Sequence, residues 1–192
     1  LSESKRAVIE EAFYRHLCDV FIEAAKTPGL TQRGLKKRMR FSNLKLLTEL
    51  EKEKNGIILV SPHYGNWEWV IGLNRYIQSV GYAVYSPLKN QYFDNYIKRI
   101  RKKFGTSLVA TRNLMRVMLQ NQFGSTPNIY GILSDQTPTM TLAKHFTKFM
   151  GIQVPVHIGA ERMAKKFDMP VVYLEVKKMG RSQYHGTLKL LA

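Results

Sequence analysis

Residues 56–69 read GIILVSPHYGNWEW, and this stretch decides the fold that the sequence predicts. Its first part, residues 56–60, is a short apolar run with three β-branched residues among its last four, which is typical of a buried strand. Pro62 cannot continue a central strand, so we expect the chain to leave the sheet there. Asn66 can cap a helix, predicted over residues 67–80, with Glu68 in its first turn, where negative charge is favoured.

His63 and Glu68 form an H-x4-E pattern within this stretch. On one continuous helix, residues five apart differ by about 140° around the axis and do not face each other. With His63 in the loop and Glu68 in the first turn, the side chains can meet, and the carboxylate then fixes the imidazole tautomer and raises its basicity. Gly65 allows close backbone approach. Because the pattern is short and common, an ordinary loop histidine beside a solvated acid is the alternative.

The motif HYGNWE, residues 63–68, resembles the signature of the bacterial lipid A late acyltransferases. These are membrane-associated members of the lysophospholipid acyltransferase superfamily, whose hallmark is H-x4-D/E. The resemblance implies acyl transfer from an acyl carrier protein thioester to a hydroxyl of a lipid A precursor, without another cofactor. It also implies a location at the cytoplasmic face of the inner membrane. Residues 10–19, EEAFYRHLCD, resemble the helix that follows the family's membrane anchor.

The size and charge of the chain are compatible with this family. Its 192 residues suit one domain, and we expect a single acyltransferase domain over residues 1–192. The formal charge of +16 attracts nucleic acid, an anionic membrane or an acidic protein. The single Cys18 excludes an internal disulfide, and the sequence has no metal-ligand spacing.

The ends of the chain indicate a fragment of a longer protein. The sequence begins at Leu1 without Met, and no apolar run approaches the roughly 20 residues that span a bilayer. Family members carry an N-terminal membrane helix and are usually longer at the C-terminal end. We therefore expect that the anchor, and a C-terminal piece as well, lie outside this sequence.

Helical and strand patterns alternate along the rest of the chain. This order predicts an α/β fold, a mostly parallel sheet flanked by helices, with extra N-terminal helices. The family resemblance implies that this fold is acyltransferase-like. The last two strands should form an antiparallel hairpin. The other predicted helices span residues 2–25, 31–41, 43–53, 94–104, 113–122 and 157–167. The other predicted strands span residues 82–86, 128–133, 170–176 and 184–191, with a short one inside 105–112.

Arg112 is the preferred candidate for binding a phosphate of the acceptor. It follows a predicted strand and precedes a helix, where free N–H groups and a guanidinium fork suit a phosphate. Its position is similar to the superfamily's second motif, whose arginine binds the acceptor's phosphate, although a lone arginine is otherwise a surface residue. Arg99 and Arg101 are further candidates. Their helix has a basic face that can meet anionic lipid, the acidic carrier protein or only solvent.

Asp135 and Gln136 follow the strand over residues 128–133 and resemble an Asp-containing loop of the family. The alternative is that Asp135 only caps a turn before Pro138. Phe146, Phe149, Met150 and Gly151 resemble the family's Phe-(Leu/Met)-Gly element, which borders the acyl site. Otherwise these apolar residues are ordinary core.

The predicted site lies beyond the carboxyl ends of the strands, where functional residues of α/β sheets gather. His63, Arg112 and Asp135 each follow a predicted strand. In the expected mechanism His63 is the general base, Glu68 orients it, and backbone N–H groups near Gly65 and Asn66 stabilise the oxyanion.

Two other functions stay open. The acceptor could be another lysolipid or an aminolipid, because the motif does not define it. A basic nucleic-acid-binding domain is the alternative from another class, with Trp67, Trp69, Tyr92 and Tyr96 available for stacking. Since no nucleic-acid motif is present, we expect no nucleic-acid partner.

Overall fold

The apolar run after residue 55 forms β2 (Gly56–Ser61), the central strand of a seven-stranded sheet. The computed structural model describes residues 1–192 except for the side chain of residue 142. Ile57 and Leu59 point into one hydrophobic core and Ile58 into another. Because successive side chains of a strand point to opposite faces, β2 is buried from both sides of the sheet.

The sheet is mostly parallel, as predicted. Besides β2, the strands are β1 (Met39–Ser42), β3 (Val80–Tyr85), β4 (Ser107–Ala110), β5 (Asn128–Leu133), β6 (Phe146–Phe149), β7 (Ile152–Pro155), β8 (Val171–Gly180) and β9 (Gln183–Leu190). The strand order of the sheet is β1-β9-β8-β2-β5-β3-β4, and only the β8–β9 pair is antiparallel. A separate antiparallel hairpin is formed by β6 and β7.

Helices cover both faces of the sheet. The α-helices are α1 (Glu3–Lys26), α2 (Gln32–Arg38), α3 (Leu44–Glu53), α4 (Gln91–Lys103), α5 (Leu114–Asn121) and α6 (Gly159–Phe167). The first core lies under α2, α3 and a 3₁₀ helix, and the second lies under α5 and α6. Shorter 3₁₀ helices span Thr27–Gly29, Trp67–Arg75, Thr111–Asn113 and Met140–Leu142. None of the described helices combines the length and the hydropathy that a bilayer span requires.

Two predicted helices are wrong in part. The segment predicted as an α-helix over residues 67–80 is the 3₁₀ helix Trp67–Arg75, and the side chain of Asn66 does not cap it. Aromatic, β-branched and glycine residues in this segment have low helix propensity, so packing against the sheet decides its geometry. The basic helix predicted over residues 31–41 ends at Arg38, because the next residues form β1 and pair with β9.

Helix α1 is formed as predicted, but most of its large apolar side chains face outward. Phe13 and Phe21 are 57% and 68% exposed, whereas Asp19 and Glu23 are buried. Asp19 pairs with Lys178 and Arg181 at the β8–β9 turn. The polar side of α1 therefore holds it against the sheet, and the apolar side is left uncovered.

Candidate active site

A cavity of about 580 Å³ opens at the carboxyl ends of β2, β3, β4 and β5. The loop after each of these strands contributes to the cavity wall, in chain order with His63, Ser86, Thr111 and Ser134. Ligands of α/β sheets bind at this edge because the loops there are free to carry function. We call this space the outer cavity.

His63 is held at the outer cavity by Asp135. The Nδ1–H group of His63 donates to Oδ1 of Asp135 at 2.6 Å, and the backbone N–H of His63 donates to Oδ2 at 2.8 Å. The parallel register pairs Ser61 of β2 with Leu133 of β5. Residues two positions beyond these partners, His63 and Asp135, therefore emerge side by side.

This contact favours the ionised form of Asp135 and selects the tautomer of the His63 imidazole. Burial raises the pKa of Asp135, but hydrogen bonds from the imidazole and the amide of His63 outweigh it, so the pKa lies below 3.8. An ionised carboxylate only accepts hydrogen bonds, so the imidazole proton is fixed on Nδ1. Nε2 of His63 then carries the lone pair and has no hydrogen-bond partner among the described residues. The imidazole lines the outer cavity, with the Trp67 ring edge-on at 5.2 Å.

Glu68 does not hold His63, which corrects the predicted pairing. No hydrogen bond or ion pair joins the two residues in the part of the chain that the structure describes. Instead, Oε2 of Glu68 accepts from Nε of Arg101 at 2.9 Å, and Oε1 accepts from Nη2 at 2.5 Å. A bidentate guanidinium–carboxylate pair is stronger than a bond to a neutral imidazole. Glu68 and Arg101 both line the outer cavity beside His63.

The structure brings only one of the three candidate arginines into the cavity wall. Arg101 lines it, whereas Arg99 and Arg112 are exposed and do not. Arg112 lies in the 3₁₀ turn Thr111–Asn113, next to the cavity-lining Thr111. A second cation in the wall, Lys98, was not identified from the sequence. Its Nζ lies 2.6 Å from Asp94, which is four residues earlier on α4, a spacing that could have indicated the pair.

Gly65 has a conformation and a neighbour that exclude a larger residue. Its φ is +59°, and a Cβ atom here would lie 2.3 Å from Cε1 of Tyr184. The Tyr184 hydroxyl donates to the carboxylate of Glu23 at 3.1 and 3.3 Å. Burial and the negative charge of Glu23 raise the pKa of Tyr184. The turn after His63 therefore rests on an aromatic ring that α1 holds in place.

Asn66 and Trp69 complete the back of this turn. Asn66 is 5% exposed, and its Nδ2 has no hydrogen-bond partner within the described residues. Nε1–H of Trp69 donates to Oγ1 of Thr27 at 3.0 Å, at the end of α1. Trp69 is therefore buried and cannot stack on a nucleic-acid base.

Gln136 lines the outer cavity, as expected for the loop after β5. The Phe-(Leu/Met)-Gly element lies elsewhere. Phe146, Phe149 and Met150 are exposed on the β6–β7 hairpin, and neither they nor Gly151 line the cavities described here. The tip turns through positive φ angles at Met150 and Gly151.

An inner cavity of about 110 Å³ lies between the 3₁₀ helix Trp67–Arg75 and strands β2, β3 and β5. Its wall is mainly apolar. At one end are Glu68 and Arg101, and at the other are Asn74, Gly81 and Thr106. Nδ2 of Asn74 donates to Oγ1 of Thr106 at 2.6 Å across that far end.

An imidazole that a carboxylate holds at the wall of an open cavity, with Nε2 unpartnered among the described residues, is an arrangement that general-base enzymes use. Residues 1–188 match the family described as bacterial lipid A biosynthesis acyltransferase. The chain therefore belongs to this acyltransferase family. A search of curated proteins found no match to the chain.

Proposed function

We propose that the chain transfers a fatty acyl group from an acyl carrier protein thioester to a hydroxyl of a lipid A precursor, with His63 as general base. The observation that carries this proposal is the 2.6 Å bond from Nδ1 of His63 to Asp135, which leaves Nε2 free beside the outer cavity. The thioester is the co-substrate, and the reaction requires no other cofactor.

The proposed reaction is direct transfer. Nε2 of His63 takes the proton of the acceptor hydroxyl while the oxygen attacks the thioester carbonyl. Asp135 stabilises the imidazolium that forms, and backbone N–H groups near Gly65 and Asn66 donate to the oxyanion. Collapse of the tetrahedral intermediate breaks the C–S bond, and the imidazolium returns its proton to the departing thiolate. An ester and a free thiol result.

The two cavities support separate places for the substrates. The apolar inner cavity suits the acyl chain, because burial of alkyl surface drives its binding. Cations around the outer cavity suit phosphates of the acceptor. Arg101 lies in its wall, and the exposed Arg99 and Arg112 supply further charge on α4 and beside Thr111.

The surface of the chain supports binding to the cytoplasmic face of the inner membrane. The exposed apolar side of α1 offers aromatic side chains, and the charge of +16 favours an anionic surface. The basic face of α4, which includes Lys102 and Lys103, suits the acidic acyl carrier protein.

The proposal is tested by incubating the protein with acyl carrier protein thioesters and lipid A precursors and detecting products by mass spectrometry. We expect one added acyl chain on the precursor, and none with His63→Ala. Transfer only to another lysolipid or an aminolipid would replace the proposed acceptor. Equal transfer by His63→Ala would overturn the proposed mechanism.

A further inference from the structure

The Glu68–Arg101 ion pair lies in a wall that the outer and inner cavities share. Six residues line both spaces: Trp67, Glu68, Val84, Arg101, Ile132 and Leu133. Three of them, Val84, Ile132 and Leu133, belong to strands β3 and β5, and their backbones are paired with β4 and β2 in the sheet. The others reach in from the 3₁₀ helix and from α4, so the ion pair is the polar part of the wall that side-chain rotation can open.

We infer that this ion pair is a latch between the cavities and that it determines which acyl chain lengths the enzyme accepts. The inference rests on the proposed function, because it assigns the chain of the thioester donor to the inner cavity. A short chain would stay in the outer cavity beside His63. A longer chain would have to displace the Glu68–Arg101 contact before it could extend along the inner cavity.

The geometry of the inner cavity fits a linear alkyl group that enters at the latch. The strand segment from Val84 back to Gly81 lines its length, which is about 10 Å at the usual rise of a strand. The space is small, about 110 Å³, and its wall is mainly apolar, with the Asn74–Thr106 hydrogen bond at the far end. Each buried methylene strengthens binding about fourfold, so a long chain can offset the cost of opening the pair.

The side chain of Arg101 has a second position available when the ion pair opens. The guanidinium of Arg101 already lies 5.8 Å from the ring centroid of Tyr85, a residue of the outer cavity wall. Rotation toward this ring would keep a cation–π contact while the bond to Glu68 is broken. The side chains of Glu68 and Arg101 are 25% and 18% exposed, so both reach water on one side. Neither charge would therefore be trapped in apolar surroundings when the pair opens.

The experiment compares octanoyl and hexadecanoyl thioesters in wild type, Glu68→Gln and Arg101→Gln. The quantity compared is the ratio of kcat/KM for the hexadecanoyl donor to kcat/KM for the octanoyl donor. We expect each single variant to raise this ratio by about tenfold. A tenfold change in binding equals the free energy of burying roughly two methylenes. The charge-swapped double variant, Glu68→Arg with Arg101→Glu, should return the ratio toward wild type. A ratio unchanged in both single variants would overturn the latch.

Binding of free fatty acids separates this inference from the proposed reaction. Calorimetric affinities of octanoate and hexadecanoate need no turnover, and their ratio should shift in the same direction as the kinetic ratio. If transfer is absent but this shift is present, the proposed function fails, and the ion pair is left only as a barrier to alkyl chains that enter the inner cavity. If transfer is present and the shift is absent, the latch fails alone.

The variant Ala83→Leu tests whether the long acyl chain occupies the inner cavity. Ala83 lines the inner cavity but not the outer one, so a larger side chain reduces the inner space while both residues of the ion pair stay in place. We expect it to weaken hexadecanoate binding and to leave octanoate binding close to wild type, with thermal unfolding measured to confirm the fold. Unchanged hexadecanoate binding by a folded Ala83→Leu protein would contradict the assigned path.

Discussion

His63 and Asp135 meet because β2 and β5 are parallel neighbours of matched length. Ser61 pairs with Leu133, so the next residues leave the sheet together and their side chains converge two positions later. The motif-based expectation placed the orienting carboxylate at Glu68, on the same segment as His63. The sheet register, which links distant parts of the sequence, places it at Asp135 instead.

The lowered pKa of Asp135 predicts how its contribution to stability depends on pH. Its folded pKa lies below 3.8 because of the hydrogen bonds from His63, so this contribution is present above that value and is lost as the pH falls through the folded pKa. Urea unfolding of wild type and Asp135→Asn from neutral to acidic pH measures it. We expect the difference between the two proteins to shrink in acid. A difference that grows in acid would contradict the assigned charge state.

Gly65 and Gly105 form a matched pair for testing the turn after His63. Both have positive φ, +59° and +80°, but only Gly65 faces an obstacle, the ring of Tyr184. Gly105→Ala should cost about 1 kcal/mol of unfolding free energy from backbone strain alone. Gly65→Ala should cost about 1–3 kcal/mol more from overpacking, and it should also slow turnover. Equal losses in denaturant titrations would show that the ring does not constrain the turn.

Helix α1 joins an uncovered apolar surface to the back of the site. Its buried carboxylates contact the β8–β9 turn and β9, through Asp19 with Arg181 at 2.7 Å and Glu23 with the Tyr184 hydroxyl. The opposite side carries exposed aromatic residues. The helix is therefore attached to the sheet by polar contacts and presents its apolar face outward.

This orientation predicts that α1 contributes to lipid binding. The double variant Phe13→Ser with Phe21→Ser should weaken binding to vesicles that contain an anionic phospholipid by about tenfold or more, because two phenyl groups no longer enter the interface. Co-sedimentation measures it. Phe123→Ser is the control, since Phe123 is 84% exposed and follows α5, so it is not part of the apolar face of α1. Equal effects of the double variant and the control would contradict a role for this face.

Local patterns predicted most elements, and contacts distant in sequence explain the exceptions. Strands β2, β5 and β8 are apolar because both faces of the sheet are covered. Their apolar runs can be recognised directly in the sequence. The helical spacing of α1 is equally clear, but spacing does not say which side is buried. The 3₁₀ geometry after Asn66 depends on packing, which no local pattern encodes. Arg112 followed its predicted strand, but its side chain is exposed.

Charge is the dominant feature of the whole molecule. With 30 lysines and arginines against 14 acids, the chain is attracted to any polyanion. The burial of Trp69 removes one of the aromatic residues that a nucleic-acid surface would use. The exposed apolar face of α1 favours a lipid surface instead.

Vesicle binding should therefore depend on both charge and salt. We expect binding to increase with the fraction of anionic lipid and to fall severalfold as salt is raised, since screening shortens the reach of exposed charges. The vesicle binding that remains at high salt should come from the apolar face of α1. The double variant Phe13→Ser with Phe21→Ser should therefore lose it. Tight, salt-sensitive binding to an oligonucleotide, with none to vesicles, would favour the nucleic-acid alternative.

The most direct test of the His63–Asp135 pair is the transfer rate of Asp135→Asn beside Asp168→Asn. Each variant replaces one carboxylate by an amide, but Asp168 pairs with Lys54 at the opposite edge of the sheet, before β8 and β2. An amide at position 135 no longer fixes the imidazole tautomer or stabilises the imidazolium, so kcat should fall by about 10²–10⁴ with every acyl donor, while Asp168→Asn stays near wild type. Wild-type turnover by a folded Asp135→Asn protein would contradict the account.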